Sequence, residues 1–138
     1  MRQHVLDANA LYRFITGGDG ADIVADVFKR ARTDESTSVM MSVIAWGEVY
    51  YTLIRHIGVT RADRALEQIL QLTGLHLIRV EERDARKAAE LKAKFNIPHA
   101  DAFTAALTGG QHVVVTADVD HFERVPKIRI LRLPHHRA

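Results

Sequence analysis

Five carboxylates stand where a fold could gather them: Asp7 in "QHVLDANAL", Glu48 in "SVIAWGEVYY", Asp101 in "IPHADAFTAAL", and Asp118 and Asp120 in "VVVTADVDHF". Asp7 and Asp118 each follow an apolar run, and Glu48 sits among Val43, Ile44, Trp46, Val49 and Tyr50. A Glu in so apolar a segment calls for a partner. Converging carboxylates repel and are costly to desolvate, so such a cluster persists at neutral pH only by sharing protons or binding cations. Four or five acids exceed what a proton-sharing pair needs. An oxygen donor set suits hard divalent ions, Mg²⁺ or Mn²⁺. Beside a phosphodiester, such ions generate hydroxide from water and stabilise charge on the attacking and leaving oxygens.

Each acid taken alone has an ordinary reading. Asp7 could cap a helix over "ANALYRFI", Asp101 near Pro98 opposes a helix dipole, Glu48 could pair with Arg55, and Asp118 and Asp120 suit a turn. Only convergence makes a site of them. Thr116 could orient a carboxylate or touch phosphate, and Asn9 could bond Asp7 or cap the first helix. His99 and His121 border acidic positions, but among eight histidines that adjacency carries little. No HxxxH or HxxE spacing marks a zinc site dominated by histidine. Neither a Gly-rich phosphate loop after a strand nor a G-x-S-x-G elbow occurs.

The elements that must position these residues follow from apolar periodicity. Residues 3–7, 38–42, 75–80, 112–117 and 128–133 read as strands, the middle three with consecutive apolar residues as in strands covered on both faces. Helices are expected between them. One runs over 21–32 with Asp19 as its cap, and one from Ser42 to about His56 with Gly58 just past its end. Another opens on a capping-box-like Thr60 and Asp63. A fourth runs from near Asp84 to Phe95, and a fifth has Pro98 in its first turn and Gly109-Gly110 at its end. Alternating strands and helices imply parallel pairing through right-handed crossovers, hence a three-layer α/β/α sandwich on a mainly parallel five-stranded sheet. Ligands bind outside the carboxyl ends of such strands, the rim where Asp7, Asp118 and Asp120 would lie.

A chain of 138 residues suits one domain spanning 1–138, with a loose basic tail from about 134. No cysteine is present, which rules out disulfides, thiolate metal sites and a cysteine nucleophile, and fits a reducing, cytoplasmic setting. The first residues reach Asp7 without an apolar core, so no secretory signal is expected, and no apolar run is long enough for a membrane span. Net charge is only +2, but gathering the five acids into one pocket would leave 12 acids against 19 cations elsewhere. Such a surface favours a polyanionic partner.

"VLDANAL", "SVIAWGEVYY", "HADAFTAAL" and "VTADVDHF" resemble, in order and spacing, the motifs of PIN-domain ribonucleases, in particular the VapC-type toxins of bacterial and archaeal toxin–antitoxin pairs. The resemblance covers essentially the whole chain. It implies Mg²⁺- or Mn²⁺-dependent endonucleolytic cleavage of RNA, a homodimer, and a cognate antitoxin that blocks the site. By motif position Asp7, Glu48, Asp101 and Asp118 match the family's acidic quartet, and Thr116 its small hydroxyl residue. Asp7, Asp101 and Asp118 are expected on the metal, with Glu48 completing the shell or positioning water. The second acid Asp120 and the inserted His121 depart from the pattern, leaving open whether Asp118 or Asp120 is the last ligand, with Asp118 ranked first.

Other functions make different demands. A PIN nuclease of RNA processing rather than a toxin would share these residues. A phosphatase with Asp7 as nucleophile needs a second acid where Asn9 stands and a Lys that "TADVDHF" lacks. A non-catalytic RNA- or partner-binding module would have no need of four intact acids.

Overall fold

The computed structural model describes residues 2–134. Five strands, β1 (Arg2–Leu6), β2 (Thr37–Ser42), β3 (His76–Ile78), β4 (His112–Thr116) and β5 (Arg129–Arg132), form one sheet in the order β3-β2-β1-β4-β5. Every pairing is parallel, so the expected mainly parallel sheet is parallel throughout. The register sets Leu6 beside Val115. The chain therefore leaves β1 and β4 side by side, at Asp7 and Ala117.

Seven helices fill the crossovers among the described residues: α1 (Ala8–Thr16), α2 (Ala21–Thr33), α3 (Val43–Ile57), α4 (Val59–Thr73), α5 (Glu82–Phe95), α6 (His99–Leu107) and α7 (Val119–Glu123). Neighbouring residues of a strand point to opposite faces. Val115 and Leu131 pack in one apolar cluster, with Leu11, Phe28, Val49 and Leu66 of α1–α4. Val114 and Ile130 pack in a second, with Ala88, Ala102, Ala105 and Phe122 of α5–α7. Helices thus cover both faces, as the sandwich reading expects. None is long and apolar enough to cross a membrane.

Several local expectations give way to tertiary structure. Gly20, not Asp19, precedes α2, with a positive φ of 87°. Helix α4 begins directly after Gly58, so Thr60 and Asp63 lie within it, and the Asp63 carboxylate accepts a hydrogen bond from Tyr50. The reciprocal cap appears instead at α5, where the Glu81 N–H donates to Asp84 at 2.9 Å. Pro98 caps α6 from just outside it, and that helix ends at Leu107, before the two glycines. Ser42 caps α3 as expected, its hydroxyl accepting from the Ile44 N–H at 3.1 Å.

The chain is still held by the fold at Pro134, where the loose tail is expected to start. Leu133 is buried, its N–H donating to the Thr116 carbonyl at 2.9 Å. The buried Arg13 guanidinium donates to the carbonyls of Pro134 and Asp19, clasping the chain after β5 against the start of α2. Residues 135–138 lie outside the described residues.

Gly20 sits inside this clasp, where an added Cβ would lie 2.9 Å from Pro134 Cδ and 3.2 Å from Leu133 Cβ. Gly20→Ala is therefore expected to destabilise the fold by about 3 kcal/mol, combining left-handed backbone strain with overpacking. Gly17→Ala has a similar φ of 71° but open space around it. It should cost only about 1 kcal/mol. Urea denaturation of both variants checks the difference.

Candidate active site

Asp7 closes β1 and caps α1. Its backbone is extended (φ −84°, ψ 174°), which turns the side chain back over the first helical turn, where Oδ1 accepts from the Ala10 N–H at 2.8 Å. Its Oδ2 accepts from the Thr116 hydroxyl at 2.5 Å. That hydroxyl itself accepts from the Asp118 N–H at 2.8 Å, so its one proton is free to point only at Asp7. A chain of three groups, Asp118 N–H, Thr116 O–H and Asp7 carboxylate, thereby ties the ends of β1 and β4 together. Thr116 does what one of its two sequence readings requires: it orients a carboxylate.

The capping and site readings of Asp7 are compatible, because the same carboxylate that caps α1 faces other acids. Asp7 is 1 % exposed, and its pKa is pushed up to about 7. Burial is the main cause. The Thr116 and Ala10 hydrogen bonds oppose it, while the charges of Asp101 and Asp118 add to it. Asp101, in the first turn of α6, is likewise raised, chiefly by burial, with Asp118 and Glu48 contributing and His121 opposing. Asp7, Asp101 and Asp118, up to 111 positions apart, therefore sense one another's charge, and Asp101 senses Glu48 as well.

A cleft of about 260 Å³ opens over them, lined by Asn9, Tyr12, Glu48, Thr52, Asp101 and Asp118. Glu48 is exposed on α3 rather than sunk among its apolar neighbours, since the helix turns it toward this cleft. No ion pair joins it to Arg55, which donates to the Tyr51 hydroxyl instead. Asn9 neither caps α1 nor bonds Asp7. Its Oδ1 is buried without a hydrogen-bond partner, at the wall of the cleft. Asp120 is exposed and lines a neighbouring groove of about 570 Å³ with Asp118, His121 and Arg132, away from Asp7 and Glu48.

The residue that sequence reasoning passed over is His121. Its Nδ1 lies 2.5 Å from Asp101 Oδ2, linking α7 to α6. Asp101, Asp118 and His121 each offer a ligand atom, all within 4.8 Å of one another. Adjacency to Asp120 was its only mark in the sequence, and Asp120 is not the acid it meets. Neither Asp7 nor Glu48 belongs to this tight trio, and both Asp7 oxygens are already engaged by protein donors.

The donor set fits a divalent cation. Carboxylates whose pKa values are raised by burial and mutual repulsion gain when a cation enters, and a buried amide oxygen without a partner gains an acceptor role. Asp101 and Asp118 would hold the ion, with Asn9, Asp7 and Glu48 around it.

Asp7 also predicts a pH dependence for the metal-free protein. Its folded pKa, about 7, lies above the ordinary 3.8, so the folded state binds its proton more tightly than the unfolded state does. Its stabilising contribution is complete below about pH 4 and is lost as pH rises through about 7. Asp7→Asn keeps the cap acceptor and removes the charge. Its melting temperature should therefore gain on the wild type between pH 4 and pH 8, by the equivalent of on the order of a few kcal/mol. Thermal melts in chelator across that range check it.

The comparisons with known proteins fit this geometry. The PIN-domain family profile matches residues 4–128. Among solved structures, VapBC from Salmonella typhimurium bound to DNA superposes with a TM-score of 0.70 at 21% identity, covering 96% of this chain and 98% of that one. VapBC2 from Rickettsia felis, bound to a promoter DNA fragment, gives 0.70 at 17% identity, covering 94% and 98%. VapC20 from Mycobacterium tuberculosis, a toxin that cleaves the sarcin–ricin loop, gives 0.65 at 19% identity, covering 91% and 98%. At these identities the likeness is one of fold. No curated protein matches the chain significantly. The matched span takes in the end of β1, the cleft and α7 together, and the chain belongs to the PIN-domain family.

Proposed function

We propose that this chain is a divalent-metal-dependent endoribonuclease and the toxin of a toxin–antitoxin pair. The observation that carries the reading is the meeting of Asp7, Glu48, Asp101 and Asp118 at the carboxyl ends of β1 and β4, with raised pKa values on Asp7 and Asp101. A site with that much uncompensated negative charge is built for cations. Solved relatives of the same fold were determined as VapBC complexes, and one relative is a toxin that cleaves the sarcin–ricin loop, which supports RNA as substrate and a protein antitoxin as partner. A homodimer and a cytoplasmic setting complete the proposal.

A bound Mg²⁺ or Mn²⁺ would offset charge on the scissile phosphate and acidify the attacking water. Asp101 and Asp118 are the carboxylates placed to hold it, with His121 beside them. Asp7 fixes the floor of the site, its charge facing Asp101 and Asp118. Glu48, exposed across the cleft, is placed to orient a water by accepting its proton in a hydrogen bond. The products would be a 5′-phosphate and a 3′-hydroxyl. Arg132 in the adjoining groove supplies a cation along the path an RNA strand would take, although Glu123 holds it at 2.8 Å.

The test is cleavage of end-labelled RNA with Mn²⁺ and with EDTA. EDTA should stop cutting, and Asp101→Asn and Asp118→Asn should each lower the rate by about 100-fold. Asp120→Asn should stay within about threefold, because its side chain faces the other groove. Equal cutting by wild type and both cleft variants, in preparations free of contaminating nuclease, would end the reading. Loss of activity with Asp120→Asn alone would move the last ligand from Asp118 to Asp120.

A further inference from the structure

We infer that His121 is a metal ligand of this site, giving an otherwise oxygen-donor centre one nitrogen donor and a preference for Mn²⁺ over Mg²⁺. The inference rests on the metal-site reading above and goes beyond its carboxylate donor set.

Three observations carry it. The first is proximity: ligand atoms of Asp101, Asp118 and His121 lie within 4.8 Å of one another, the span over which three side chains can share one ion. The second is how the imidazole is held. His121 stands on α7, a five-residue helix whose next residue, Phe122, is fully buried and anchors it, so the ring is carried on a fixed element toward Asp101. Its side chain is 31% exposed, which leaves the second ring nitrogen without a protein partner among the described contacts. The third is what surrounds it. Asp101 and Asp118 supply negative charge on one side and Asn9 an unpartnered buried oxygen in the adjoining cleft, while Arg132, the cation of the groove that His121 lines, is engaged by Glu123 at 2.8 Å.

Nitrogen ligation changes which ion is favoured. Mg²⁺ is hard, demands near-ideal octahedral oxygen coordination and sheds water reluctantly. Imidazole suits transition ions, and Mn²⁺ accepts both oxygen and nitrogen donors. One imidazole added to two carboxylates therefore improves Mn²⁺ binding and does little for Mg²⁺. Should the metal take the distal Nε2, the Nδ1 contact to Asp101 becomes the hydrogen bond that orients the ring, an arrangement common among histidine ligands. Should it take Nδ1, the close Asp101 contact opens to admit the ion. His121 is a ligand in both arrangements.

The experiment uses the full chain, purified metal-free, with Mn²⁺ alone as the probe. Pulsed electron paramagnetic resonance of the Mn²⁺-loaded wild type should show coupling to an imidazole ¹⁴N, absent in His121→Gln. Calorimetric titration should give a Mn²⁺ affinity that falls by about tenfold or more in His121→Gln, with Mg²⁺ affinity held within about threefold. His121→Asn is the second variant should the first not fold. Mn²⁺ bound by the wild type without ¹⁴N coupling overturns the inference and leaves the nuclease reading intact. Equal loss of Mg²⁺ and Mn²⁺ in both variants overturns it too, since that is the signature of a positioning role. Failure to bind either ion removes both readings together.

Discussion

A carboxylate taken out of water needs donors to hold it, and the Asp7 side chain has two: the Ala10 N–H inside its own helix and the Thr116 hydroxyl from the neighbouring strand. The second could not be supplied without the parallel register that sets Leu6 beside Val115. The two donors nonetheless leave the charge undercompensated, because burial outweighs them and Asp101 and Asp118 add repulsion. The rest of the site is arranged around that imbalance. Helix α6 contributes Asp101 while its alanines pack close on the sheet, α3 turns Glu48 to the cleft, and the turn after β4 delivers Asp118.

Much of this was legible in the sequence, and the reasons are local. Consecutive β-branched and aliphatic residues at 113–115 mark a strand covered on both faces, and they lie in β4. Ser42 before an apolar stripe marks a helix start, and it caps α3. Acids just past strand ends mark the carboxyl rim of a parallel sheet, and Asp7 and Asp118 lie there. The α/β/α layering follows from the alternation of these signals.

What the sequence could not show depends on groups distant along the chain or on a single backbone angle. Asp19 and Gly20 are both chemically suited to precede a helix; the clasp of Arg13 on Asp19 and Pro134 decides in favour of Gly20, which alone tolerates the turn. Thr60 and Asp63 have the spacing of a cap, but α4 has already begun and Asp63 serves Tyr50. Asp118 and Asp120 look equivalent in "TADVDHF", yet two residues of the α7 turn bring Asp118 into the cleft with Glu48 and Asp101 and leave Asp120 outside it, in the neighbouring groove. The pairing of His121 with Asp101 was hidden because the two lie on different helices, 20 positions apart.

The bond between Thr116 and Asp7 spans 109 positions. Strand β1, made before β4, lies in the middle of the sheet with an open flank until β4 arrives. A growing chain that has not reached Thr116 lacks the hydroxyl that holds Asp7, and with it the carboxylate of Asp118 and the ring of His121. Emergence from the ribosome proceeds from the N-terminus, so the cleft is completed only after the segments carrying Asp7, Glu48 and Asp101 have been made. A chemistry assembled in this order is withheld from every product truncated before Thr116.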